Sequence, residues 1–374
     1  MNIVKNRKFK RILALVLATV MLVLTLGSCG SSSEVVISFG GVEITSNMYL
    51  YWMSRYKAMF LYMYLGAQTD YPAFWEMEMA EGVTAGTYLG AVAAQNIISN
   101  AICVKLYDDY GLKLSNDEIK TVETQIDSLI SAAGSKSALN SALSAYGVNV
   151  DMLKEIYLME AKISGLQEYL YGDNGIDAPT DEELDTYYEE NYYRVKHLLI
   201  RTDVRIEKDE NGEAIVDEST GSYKTVELTD EEIEQQQALA ADLKVQIAAG
   251  ANFDTLCYDY SEDTAMQYFT DGYYITGSST FLPTEIVTAV PNMAIGEVKT
   301  FETDYGIHYV KRYELIDKAY NVEPYATSMF TNYASTVASL KMQEMIAQYA
   351  DLVVLNEELI AAYPLANCTP NFSY

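Results

Sequence analysis

Few residues in this 374-residue chain have side chains suited to chemistry, which makes them easy to follow. The two histidines are His308, in the alternating stretch Ile307–Tyr313, and His197, in Arg194-Val195-Lys196-His197-Leu198-Leu199-Ile200. Both stretches show the period-two alternation of a strand. Turn residues bound the second, Gly296-Glu297 upstream and Asp304-Tyr305-Gly306 directly before it. Taken singly, a histidine in a strand is an ordinary polar residue. The cysteines after residue 29 are Cys103, Cys257 and Cys368. None forms a C-x-x-C pair and there is no Cys/His cluster, which argues against a metal centre. Cys103 sits in an apolar helical stretch as a small hydrophobe. A Cys103–Cys368 disulfide would suit an exported chain, but the sequence does not decide it.

The segment between the histidines changes their weight. It runs Ala251-Asn252-Phe253-Asp254-Thr255-Leu256-Cys257, Asp259-Tyr260-Ser261-Glu262-Asp263, Gly272-Tyr273, Gly296-Glu297-Val298 and Gly306-Ile307-His308. In order and spacing this resembles the parvulin-type peptidyl-prolyl isomerases. That family opens with a strand carrying His and ends on Gly-hydrophobic-His. The resemblance covers roughly residues 192–315 and implies an α+β fold, a small antiparallel sheet with surrounding helices. It also implies that His197 and His308 face each other and tune hydrogen bonding around a central acid or thiol, which Asp263 matches. Thr303 approximates the family's hydroxyl residue, and Phe281, Leu282 and Ile286 match the apolar proline pocket. No cofactor and no metal are implied. The chain departs from the pattern at Thr270-Asp271-Gly272-Tyr273-Tyr274, where the family has a Gly-Gly-Asp-Leu-Gly turn. It also has Ile286 at a position usually held by Phe, and Val298–Thr303 is one residue short.

Elements must position these groups. Thr229-Asp230-Glu231-Glu232 caps a helix that ends near Gly250, and Thr180-Asp181-Glu182-Glu183 opens a helix through Glu190. Between the first strand and that long helix lies an insertion, Arg201–Leu228. Its Asn211-Gly212 between Arg205-Ile206-Glu207 and Ala214-Ile215-Val216 predicts a hairpin, read as an exposed β-arm. Upstream, Val35–Phe39, Gly40-Gly41 and Val42–Ile44 predict strand, turn and strand, with a helix from Met48 to about Tyr64. That helix is dense in Tyr, Met, Trp and Phe. It reads either as core packing or as an adaptable cradle for unfolded chains. Further helices follow over 87–110, 115–133, 136–146 and 150–170, and one helix is expected from Tyr325 to about Ala350. A strand, Leu352–Leu355, and a helix over 356–363 close the chain.

Composition bounds the partners. Twenty-five basic residues against 53 acidic give a net charge of −28, which argues against nucleic acid as a partner. The first 28 residues read as a leader: Lys5, Arg7, Lys8, Lys10 and Arg11, then apolar Ile12–Leu26, then Leu26-Gly27-Ser28-Cys29. The last four resemble a bacterial lipobox, implying cleavage before Cys29 and lipid attachment to it.

The expected organisation is therefore a signal peptide over 1–28, a tether over 29–34 and a helical chaperone domain over 35–190. A parvulin-like domain over 191–318 carries the arm 201–228, and a C-terminal segment, 319–374, packs back on the helical domain. The parvulin-like domain would thus be inserted in a mainly helical one, as in extracytoplasmic foldases of the PrsA and SurA type. Those foldases imply prolyl isomerisation of unfolded exported polypeptides at the outer face of the cytoplasmic membrane, with the chain held by its lipid anchor. A homodimer is left open. The rival is a non-enzymatic holdase or scaffold lipoprotein with a degenerate isomerase domain. A solute-binding lipoprotein would share the lipobox but predicts a two-lobed α/β chain, which the helix-rich flanks do not suggest.

Overall fold

The computed structural model describes residues 34–172, 174–211, 215–216 and 223–374. The leader, Cys29 and the tether up to residue 33 lie outside the described residues, as do positions 212–214 and 217–222 of the arm. The chain divides into two compact units. One holds residues 179–337, and the other holds the described residues up to 178 together with 338–374.

The second unit is mainly helical. Strands β1 (Val35–Phe39) and β2 (Val42–Thr45) pair antiparallel around Gly40-Gly41, and Val354–Leu355 pairs along the other edge of β1. Helix α1 (Ser46–Leu65) follows, capped by Thr45 through backbone geometry alone. Strands β3 (Glu78–Ala80) and β4 (Val83–Thr84) form a short ribbon before α2 (Ala85–Asp109). Helix α3 (Asn116–Ala133) packs on α4 (Val150–Tyr171), which in turn packs on α2. Ser115 and Glu118 close a capping box at the start of α3. Burying the apolar faces of these helices is the main stabilising term.

Helix α1 is buried along most of its length and exposed at its C-terminal turn. Met48, Tyr49, Tyr51, Trp52, Met53, Phe60 and Leu61 are buried in the core, whereas Tyr62, Met63, Tyr64 and Leu65 are exposed. One charged side chain is sunk into the same core. Lys57 is 1 % exposed, and its ammonium meets Asp70 Oδ2 at 2.7 Å, the Ala366 carbonyl at 2.8 Å and the Cys368 carbonyl at 2.9 Å. Three donors thus meet three acceptors. Cys103, Cys257 and Cys368 are buried free thiols, so the Cys103–Cys368 disulfide is not formed.

The unit of residues 179–337 begins with α5 (Asp181–Asn191) and is built on a four-stranded antiparallel sheet. Its central pair is β5 (Tyr193–Arg201) and a later strand, Gly306–Tyr313. The arm follows β5. Its strand β6 (Val204–Ile206) pairs with β7 (Thr225–Glu227) at the base of the arm, while the turn expected at Asn211-Gly212 lies partly outside the described residues. Farther out, the Ile215 N–H donates to the Glu207 carbonyl and the Ile215 carbonyl accepts the Lys224 N–H. Helices α6 (Asp230–Ala248) and α7 (Phe253–Tyr260) cover one face of the sheet, where Leu198, Ile200 and Tyr309 pack on Leu243 and Phe253.

Strand β8 (Tyr273–Ile275) lies on one edge and β9 (Val298–Thr303) on the other, giving the order β8-β5-β10-β9 with β10 (Gly306–Tyr313). Helix α8 (Thr284–Ala289) packs on the second face. The helix expected from Tyr325 to Ala350 is broken. A turn of helix, Tyr325–Ser328, is separated by Met329-Phe330-Thr331-Asn332 from Tyr333–Ala347. The break lets Phe330 enter an aromatic cluster with Tyr188, Tyr274 and Tyr320, while Met329 caps the edge of β8.

Candidate active site

Register and pleat bring the histidines together. His197 lies opposite Val310, and His308 lies opposite Leu199. The two histidines are therefore diagonal neighbours on one face of the sheet, a spacing that aromatic side chains bridge. Their rings are nearly parallel, with centroids 5.0 Å apart. His197 Nε2 lies 2.8 Å from His308 Nδ1, and both rings are buried. Gly306 makes the close packing of β10 on β5 feasible. At φ +140° a Cβ there would lie 2.2 Å from the Ile200 carbonyl oxygen.

Asp263 arrives by an irregular route. After α7, Ser261 and Glu262 run beside the half of β5 that β8 does not pair. The Leu199 N–H donates to Ser261 Oγ, and the Glu262 N–H donates to the Leu199 carbonyl. Asp263 then divides its two oxygens. Oδ1 accepts the Ala265 N–H and caps a short 3-10 turn, while Oδ2 lies 2.7 Å from His197 Nδ1 and accepts the Tyr273 hydroxyl at 2.7 Å. Thr303 completes the chain with Oγ1 2.7 Å from His308 Nε2, despite the shortened β9 stretch. The Tyr305 N–H donates to that same hydroxyl oxygen.

The donors and acceptors have one consistent order when Asp263 is ionised and both rings are neutral. His197 Nδ1–H donates to the carboxylate, leaving Nε2 as acceptor. His308 Nδ1–H donates to that nitrogen, leaving its own Nε2 to accept the Thr303 hydroxyl. Burial pushes the His308 pKa down to about 4, helped by the neighbouring His197, and so favours the neutral ring. Burial alone would raise Asp263, but the hydrogen bonds and charge of His197 and the Tyr273 hydroxyl outweigh it and hold the carboxyl below its usual range. Tyr273 is pushed up by burial and by that same carboxylate, so its hydroxyl remains a donor.

Above this network opens a cleft of about 900 Å³, lined by His197, His308, Asp263, Tyr273, Phe281 and Leu282 among others. Phe281 is exposed at the rim and Leu282 is buried in the wall. Ile286 is placed differently from its expected position in the proline slot. It is fully buried with Val195, Ile275 and Val310 in the core behind the cleft, because α8 turns that face inward. Tyr273 was legible in the sequence only as part of a turn. The strand alternation across Tyr273 and Tyr274 was the available signal. Cys257 is buried beside the sheet with its thiol raised to about 12, which leaves it protonated rather than reactive.

Residues 190–315 match the family model described as a PPIC-type PPIASE domain, about a third of the chain, and this segment is a parvulin-type domain. No curated protein matches the chain. Among solved structures, PrsA from Bacillus subtilis is 21 % identical, with 72 % of this chain and 86 % of that chain covered and a TM-score of 0.22. PrsA from Bacillus cereus is 16 % identical, with 80 % and 94 % covered and a TM-score of 0.27. The foldase PrsA from Streptococcus pneumoniae is 17 % identical, with 76 % and 96 % covered and a TM-score of 0.23.

Proposed function

We propose that the chain is a peptidyl-prolyl cis-trans isomerase that assists the folding of exported polypeptides, with the isomerase chemistry in the cleft over His197, His308 and Asp263. The single observation that carries this reading is the hydrogen-bonded row from Tyr273 to Thr303 at the floor of an apolar cleft. Rotation about an Xaa-Pro bond crosses a barrier of roughly 18–20 kcal/mol without making or breaking a covalent bond. The site must therefore grip the ring, strip water from the imide and favour the twisted state in which resonance is lost. Leu282, Phe281 and Tyr273 would supply the apolar grip. The fixed row of hydrogen bonds beneath them costs no reorganisation as the imide twists, and His308 presents a neutral ring to it.

The leader and the Leu26-Gly27-Ser28-Cys29 stretch support anchoring through a lipidated Cys29 at the outer face of the cytoplasmic membrane. The helical unit would hold the client, with the described residues up to 178 and 338–374 as its parts where 35–190 and 319–374 were expected, and the unit of 179–337 would carry the isomerase. A holdase without isomerisation is the second reading. The exposed Tyr62, Met63, Tyr64, Met77 and Met79 favour it, since such side chains adapt to many apolar sequences.

Exchange spectroscopy on an Ala-Pro tetrapeptide separates the two readings. Acceleration by the wild type that falls at least about tenfold in His308→Ala and in Asp263→Ala supports the isomerase. Wild-type exchange no faster than buffer, combined with suppressed aggregation of an unfolded client, leaves only the holdase.

A further inference from the structure

The cleft is larger than a proline ring needs. At about 900 Å³ it is the size of a site that holds several residues of ligand. Besides Leu282 and Phe281, the lining includes the half-buried Tyr192, Phe269 and Met329. The Phe269 ring lies 5.8 Å from that of Tyr273 and 5.8 Å from that of Tyr325. Met329 lies beyond the last residue of the family match, in the break that interrupts the expected helix. It is held there by a specific contact, its sulfur accepting the Tyr274 N–H at 3.4 Å on the open edge of β8. The sequence after the domain thus completes the cleft with a thioether among aromatic rings, a surface suited to stacking and sulfur–aromatic contact.

The same cleft offers little to an anion. Arg201 is the basic side chain in the described lining, and Asp203 occupies its guanidinium with bonds of 2.9 and 2.6 Å. The Asp263 carboxylate also faces the cleft.

We propose that Tyr192, Phe269 and Met329 form a subsite for an aromatic side chain flanking the proline, so that the unit selects aromatic over acidic neighbours. The proposal rests on the isomerase reading above and adds the substrate class. The full chain is assayed on proline tetrapeptides carrying Phe, Ala or Glu before the proline, and on a second series varying the residue after it. Burial of one aromatic ring is expected to raise kcat/KM for Phe about tenfold over Ala in one series. Glu is expected to do no better than Ala in either. In Met329→Ala the Phe-to-Ala ratio falls towards one, and if that variant does not fold, the wild-type ratios carry the test.

Equal values for Phe and Ala in both series overturn the subsite. So does preference for Glu, or an unchanged ratio in a folded Met329→Ala. If no peptide is accelerated, the isomerase reading fails separately, and the same ratio, read as peptide affinity, decides the subsite.

Discussion

Two buried polar hubs sit in the two units of this molecule, and they are built on opposite plans. In the helical unit Lys57 has three donors and three fixed acceptors, two of them backbone carbonyls near the C-terminus. Nothing in that arrangement can exchange roles, because an ammonium only donates and a carbonyl only accepts. In the sheet unit His197 and His308 are also buried, but each imidazole both donates and accepts, and the row opens on a cleft. The contrast teaches that burial and saturation mark a structural clip, whereas rings that both donate and accept beside an open apolar wall mark a place where chemistry can happen. It also explains why exposure alone would not separate the two hubs, since Lys57, His197 and His308 are all 3 % exposed or less.

The sharpest way to break the contrast is Lys57→Met. It leaves the Ala366 and Cys368 carbonyls without their donor, while Asp70 keeps the Trp75 N–H, and at about 1–3 kcal/mol for each orphaned acceptor is expected to destabilise the helical unit by roughly 2–6 kcal/mol. Denaturant unfolding followed by circular dichroism checks this, and a loss under about 1 kcal/mol would deny the clip its structural role.

Acid should act on the other hub. His308 titrates near pH 4 in the fold against an ordinary value of 6.5, so the unfolded chain takes up a proton that the folded site refuses. Stability should be level above about pH 6.5 and fall by up to about 3 kcal/mol on the way to pH 4. Asp263, held below its usual range, adds a further loss at lower pH as it protonates. Unfolding curves across this range in wild type and in His308→Gln read the difference.

Tyr273→Phe removes one donor from the Asp263 carboxylate. It is expected to cost about 1.5 kcal/mol and to move the carboxyl back towards its usual range, visible in a carboxyl-carbon NMR titration. Thr303→Val is the smallest change. It removes the hydroxyl that His308 Nε2 accepts and costs about 1 kcal/mol in thermal unfolding, while His197 Nε2 still holds the ring in its Nδ1–H tautomer.

Much of the sheet hub was readable beforehand because strand periodicity and turn residues fix faces. Once Ile307–Tyr313 and Arg194–Ile200 are antiparallel partners, only the register decides whether the two imidazoles meet. Asp263 was located through the family resemblance carried by Ser261-Glu262-Asp263. Its Oδ1 also caps a 3-10 turn, a role that the resemblance does not imply. Ile286 misled because a helix of six residues, Thr284–Ala289, has no sequence signal for which side it turns to the cleft. The base of the arm was not legible because Asn-Gly signals only a local turn, whereas the ladder there is set by residues about twenty apart, Val204–Ile206 and Thr225–Glu227. Lys57 and Met329 could not be found in advance. Their partners, Cys368 and Tyr274, are distant in the chain, and no period connects them.

The most direct measurement compares the two hubs in one assay: prolyl exchange in Lys57→Met and in His308→Ala, at a temperature where circular dichroism shows both folded. The account expects Lys57→Met to accelerate exchange as the wild type does, and His308→Ala to fall at least about tenfold. Equal rates in the two variants, or exchange at the uncatalysed rate in the wild type itself, would contradict it.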